Sequence, residues 1–133
     1  MVSFKYNLME KLDDFEEPMT AQRCSQSLSS VEDALYVIGG KWKLKIIIAL
    51  QEHGSIRFNE LQRIVAGISA RVLSNELKDL ELNGFVKRIV YAEQTPVVVE
   101  YISTDYSKTL KTVIMSLSEW GSTHKRNIRE DVF

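Results

Sequence analysis

Apolar residues recur along the chain first at helical spacing, then at strand spacing, then at helical spacing again. Ser29 and Glu32 form a Ser-x-x-Glu capping box ahead of Val31, Leu35 and Ile38, which recur every three to four residues until Gly39-Gly40. A second, mostly buried helix is predicted over Trp42 to Glu52, with Leu44, Ile47, Ile48 and Leu50 and no breaker before Gly54. Ile56-Arg57-Phe58 reads as a short extended piece. Asn59 then caps a third helix, with Leu61, Ile64 and Val65 on one face and Gly67 at its close. Ser69 caps a fourth. At 100° per residue its Leu73, Leu77 and Leu80 share one arc, while Arg71, Asn75 and Lys78 lie opposite with Ser74 at the edge. Asn83-Gly84 ends it.

Phe85 to Tyr91 and Val97 to Ile102 are rich in β-branched and aromatic residues, and the polar Ala92 to Pro96 lies between them, so a β-hairpin is predicted. After Ser103 and Thr104, Leu110, Val113, Ile114, Leu117 and Trp120 trace the apolar face of a long closing helix. Three helices followed by a hairpin make a winged helix-turn-helix, with the helix at Ser69 in the groove-reading position. The predicted class is therefore mainly α with a small β-hairpin. Residues 1–28 read as an N-terminal arm, 29–121 as the winged-helix domain, and 122–133 as the end of the closing helix and a tail.

Composition narrows the function classes. The chain has 133 residues, 44% of them apolar, enough for one ordinary core. Its longest apolar run, Ile46 to Leu50, is far short of the roughly 20 residues that span a bilayer. Met1 to Pro18 mixes lysine with acidic residues and has no pattern of a secretory signal, so the cytoplasm is the expected compartment and no membrane partner is expected. The formal charge of −1 argues, as a single number, against nucleic acid. Its distribution sharpens that reading, because a near-neutral total can conceal a local positive surface. Residues 1–40 hold three basic side chains against seven acidic, residues 41–92 nine against five, and residues 93–133 five against six. The basic middle is the footprint expected for phosphate contacts, or else a set of solvated helix faces.

The stretches Ala34-Leu35 to Lys43 (with Gly39-Gly40-Lys41-Trp42-Lys43), Arg57 to Leu61, Gly67 to Ser74, Leu77 to Glu81, Gly84-Phe85-Val86, Val99-Glu100-Tyr101 and Trp120-Gly121 run in an order that resembles the HxlR-type family of bacterial winged-helix transcription regulators, related to the MarR group. The resemblance spans about residues 29 to 121. It implies a homodimeric regulator of double-stranded DNA whose terminal helices form the dimer interface. Three departures stand out. The family's wing often carries an arginine before Val-Glu-Tyr, where this chain has Pro96-Val97-Val98, so wing contacts would fall to Thr95, Gln94 or Lys87. The cysteine that many members carry just before the first helix, a sensor of electrophiles or oxidants in some, would fall near Ser29, whereas Cys24 lies earlier. A glycine usual near the start of the last helix is Ser107 here, read as a tolerated packing change.

The expected DNA-facing residues are Arg71, Ser74, Asn75 and Lys78, with Ser69 as the cap. Arginine pairs bidentately with guanine, asparagine with adenine, and lysine and serine suit phosphates. Asn59 at a helix start reads equally as a phosphate holder or a plain cap, and Arg57 as a phosphate contact or a partner of Glu60. Trp42 reads as a packing anchor. Dimerisation is expected along Leu110, Val113, Ile114, Leu117 and Trp120. Cys24, beside Arg23, is a candidate redox sensor set against the more ordinary reading of a lone cysteine without a role. His53 and His124 have no Cys or carboxylate partners at metal-ligand spacing and read as helix-end residues, so neither metal nor cofactor is expected. No effector is assigned. No nucleophilic triad or phosphate-binding glycine loop supports an enzyme. The rival reading is a winged-helix protein-interaction module that does not bind DNA.

Overall fold

The computed structural model describes residues 21–129, with side chains from residue 26 onward. The described residues fall into two units that divide between Tyr36 and Val37. In the first, helix α1 (Ala21–Ile38) is already formed eight residues ahead of the capping box expected at Ser29, and it ends across the unit boundary. Ser29 is therefore an interior helix residue. No glycine or proline interrupts the chain between Pro18 and Gly39, so the helix propagates through the box. Leu28, Val31 and Leu35 are exposed along α1 at a spacing that places them on one face. Cys24 falls within this helix, but its side chain lies outside the described residues.

The second unit holds α2 (Lys43–His53), β1 (Ser55–Arg57), α3 (Phe58–Ile64), α4 (Ala70–Leu82), β2 (Val86–Tyr91) and β3 (Val98–Ser103), then a 3-10 turn (Tyr106–Leu110) and α5 (Lys111–Arg129). The hairpin is present, and β1 adds a third strand to it. The sheet is antiparallel in the order β1-β3-β2, with Ile56 opposite Tyr101 and Arg88 opposite the same tyrosine on the other side. The expected extended piece at Ile56 is thus an edge strand, and α3 starts at Phe58 rather than after Asn59. Arg57 occupies the cap position without a side-chain cap bond, which puts Asn59 inside the first turn. Phe58 enters the helix because its ring packs on the core and lies 6.4 Å from the Tyr101 ring.

One core joins these elements. Ile46, Ile47 and Leu50 of α2, Ile56, Leu61, Leu73, Leu77 and Leu80 of α4, Phe85, Val86 and Tyr101 are all buried. Leu110, expected in a dimer stripe, belongs to this core instead, and Ile114 packs against it. The closing helix starts only after the 3-10 turn, and its first turn leans on its own domain. Ser107 in that turn is 1% exposed, and its carbonyl and hydroxyl accept hydrogen bonds from Gln51 Nε2 at 3.0 and 3.4 Å. The serine is therefore a polar tie between α2 and the turn, more than a neutral packing change.

Candidate nucleic-acid interface

α4 is held at both ends by local chemistry. Ser69 Oγ accepts from the Val72 N–H at 3.2 Å, satisfying a donor that the first turn leaves open. At the other end Gly84 adopts φ +84°, its N–H donates to Glu81 O, and the Phe85 N–H donates to Leu80 O. Those two bonds with a left-handed glycine form a Schellman motif, which turns the chain straight into β2. Between the caps, Leu73, Leu77 and Leu80 are at most 1% exposed, each contributing roughly 1.5–3 kcal/mol through burial. Arg71, Asn75 and Lys78 are consequently exposed on the outward face, and Ser74 is half-buried at its edge.

The two flanks of that outward face differ. On one, Glu76 and Asp79 face α2, where Lys43 Nζ donates to Glu76 Oε2 at 2.6 Å and lies 3.6 Å from Asp79 Oδ2. The hydrogen bond to Glu76, with the charges of both carboxylates, holds the Lys43 ammonium above its ordinary pKa of 10.5 against the opposing effect of burial. On the other flank, Ser74, Lys78 and Glu81 meet Arg88 and Tyr101 across a cleft of about 300 Å³. Arg88 is a basic residue beside the outward row that the hydrophobic pattern does not single out. Only the pairing of β2 with β3 brings it there.

Arg57 is exposed, and its Nε lies 4.0 Å from Glu100 Oε1, not against Glu60. Glu100 also accepts from Ser55 Oγ at 2.8 Å and from the Tyr91 hydroxyl at 3.3 Å. The glutamate of Val99-Glu100-Tyr101 therefore ties both outer strands to β3 and braces the base of the wing. Asn59 is exposed, and Thr95 lies exposed in the Ala92–Val97 tip. The turn between α3 and α4 is fixed by Gln62 Nε2 donating to Ile68 O at 3.4 Å. Gly67 has φ +88° there, with the Trp42 ring 3.9 Å from where a Cβ would stand. Trp42 packs partly on the core, as an anchor.

Along α5, Val113, Leu117 and Trp120 are between 41 and 67% exposed, and the Trp120 ring stacks on His124 at 5.2 Å. No group of three or more potential metal ligands occurs among the described residues, and no helix there is long and apolar enough to cross a membrane.

A family model described as HxlR-like helix-turn-helix matches residues 37–129. The chain is 40% identical over 104 residues to YtcD of Bacillus subtilis, an HTH-type transcriptional regulator, covering 78% of this chain and 81% of the relative. It is 46% identical over 93 residues to the HTH-type transcriptional regulator BH0655 of Halalkalibacterium halodurans, covering 70% and 81%. Among solved structures, the redox regulator HypR in its reduced form superposes with a TM-score of 0.67 at 40% identity, over 77% of this chain and 98% of that one. With the capped, outward-facing α4 and the braced wing, these matches establish that the chain belongs to the HxlR-like helix-turn-helix family of DNA-binding transcriptional regulators, which are not enzymes.

Proposed function

We propose that the protein is a cytoplasmic homodimer that regulates transcription from a pseudo-palindromic operator, laying α4 of each subunit in successive major grooves about one helical turn apart. The observation that carries this reading is the segregation of α4: three leucines sealed in the core, and Arg71, Asn75 and Lys78 presented outward between the flank held by Lys43 and the flank bearing Arg88. Arg71 and Asn75 read base edges near the start of the helix, while Lys78 and Ser74 take phosphates. Ser69 holds the helix start, and Arg57 and Asn59 lie at the start of α3, where a backbone phosphate would meet exposed N–H groups. Thr95 reaches from the wing tip. Because the tip has no arginine, the wing adds little, and base contacts by α4 carry more of the specificity.

The dimer contact rests on Val113, Leu117 and Trp120 of α5. Among the described residues these large apolar side chains lie outside the core, whereas Leu110 belongs to it. Selection of bound duplexes from a random pool tests the whole reading. Recovery of an inverted repeat is expected. Recovery of unrelated sequences, with no enrichment over the starting pool, would leave the fold as a protein-interaction module instead.

A further inference from the structure

Three lysines cluster at the start of α2, Lys41 just before its Trp42 cap and Lys43 and Lys45 within its first turn, and that turn contains no acid. This is opposite to the usual bias, since the positive end of the helix dipole disfavours cations. Lys43 is accounted for by Glu76 and Asp79. Lys41 and Lys45 are not. Their ammoniums lie over the Trp42 ring, at 4.7 and 5.1 Å from its centroid, and neither pairs with a carboxylate among the described residues. A ring quadrupole holds a cation without neutralising it. Two positive charges are thus gathered on one aromatic platform.

The platform has a definite place. The Trp42 ring stands beside Gly67, two residues before the Ser69 cap, and therefore near the N-terminal end of α4, where base contacts are proposed. Lys43 fixes the start of α2 against the Glu76 and Asp79 flank of α4, while Arg88 lies along the opposite flank. A helix in a major groove about 12 Å wide has a phosphate backbone along each side. On the Arg88 side, positive charge meets one backbone directly. On the other, two carboxylates would repel it, but Lys43 neutralises them in part and the excess positive charge comes from Lys41 and Lys45.

We propose that Lys41 and Lys45, held by Trp42, bind backbone phosphates of duplex DNA along the α2 side of the groove that α4 occupies. The contact is sequence-independent and rests on the reading of α4 as the recognition helix. Lys43 is not part of it, because its ammonium is already committed to α4.

The test measures affinity against salt for the full chain on two labelled duplexes, one recovered by selection and the same sequence scrambled. Lys41→Gln and Lys45→Gln should each flatten the slope of log K against log salt by about 0.9 for every phosphate that is no longer neutralised, about twice that for a two-fold dimer. The preference for the selected duplex over the scrambled one should not change, and Lys41→Arg and Lys45→Arg should keep the wild-type slope. Wild-type slopes in the glutamine variants overturn the proposal. So does a loss of sequence preference in those variants, which would mean base contact or a displaced α4. If these slopes stay unchanged while Arg71→Ala loses its preference, only the lysine contact fails. If the wild-type chain binds neither duplex, the recognition-helix reading fails with it.

Discussion

Glu76 and Asp79 place two carboxylates on the flank of the helix proposed to lie between phosphate backbones, and Lys43 pairs with both. Its side chain packs largely against the protein, and removing the ammonium would leave Glu76 half-buried without this partner, a costlier state than an exposed broken pair. Lys43→Met is expected to lower the melting temperature at neutral pH. The sign of the pH dependence follows from the raised pKa. The stabilisation is complete below the ordinary lysine value of 10.5 and disappears as pH climbs through the higher folded-state value, so the gap between wild type and variant should close in that alkaline range. Thermal melts at neutral and alkaline pH check this; a gap that is constant with pH would contradict it. The role of this lysine is only partly legible in the sequence. Lys43 is visible there as a basic neighbour of Trp42, but its partners lie on another helix, and nothing in the spacing points to them. Arg57 has Glu60 as a neighbour along the chain, yet it faces Glu100, because strand register decides which side chains meet and register is not a local property.

At the scale of the element, α4 is the most readable part of the chain, because its period, its N-terminal serine and its terminal glycine all specify the same helix. Ser69→Ala removes the acceptor for the Val72 N–H and should destabilise the domain by about 1 kcal/mol in urea unfolding. At Gly84, the nearest atom to an added Cβ is Tyr106 Cδ2 at 3.6 Å, an ordinary contact, so the cost of Gly84→Ala comes from φ +84° and not from a clash. A loss of about 1–2 kcal/mol is expected in the same assay. A Gly84→Ala protein as stable as wild type would mean that the left-handed turn is not needed. Helix ends without such agreement between signals fall elsewhere than the pattern suggests. α1 runs through its apparent capping box, and α3 begins at Phe58 because burying that ring against Tyr101 matters more than the capping preference of Asn59. The edge strand β1 shows in the sequence only as a short extended piece. Its pairing with β3 is long-range and invisible to periodicity.

For the whole molecule, the sequence reveals the basic middle segment and the apolar stripe of the closing helix, but not how either is divided. The stripe splits by depth: Leu110 is sealed in the domain core, while Val113, Leu117 and Trp120 remain outside it. Leu110→Ala should therefore cost about 2–5 kcal/mol of stability. For the proposed dimer, Leu117→Glu should preserve the helical circular-dichroism spectrum and halve the mass found by sedimentation, with weaker binding to a two-half-site duplex; a mass unchanged from wild type would contradict a dimer contact at Leu117. The basic segment splits in the same way. Part of its charge is used within the protein, at Glu76, Asp79 and Glu100, while Arg71 and Lys78 are displayed on α4 and Arg88 lies beside it. Whether this displayed face reads sequence is tested most directly by comparing wild type with Arg71→Ala on a selected duplex and its scrambled counterpart. If Arg71 reads a base, the variant should lose about 1–3 kcal/mol on the selected duplex and much less on the scrambled one. Wild-type affinity and preference in Arg71→Ala would contradict the assignment of α4 as the recognition helix.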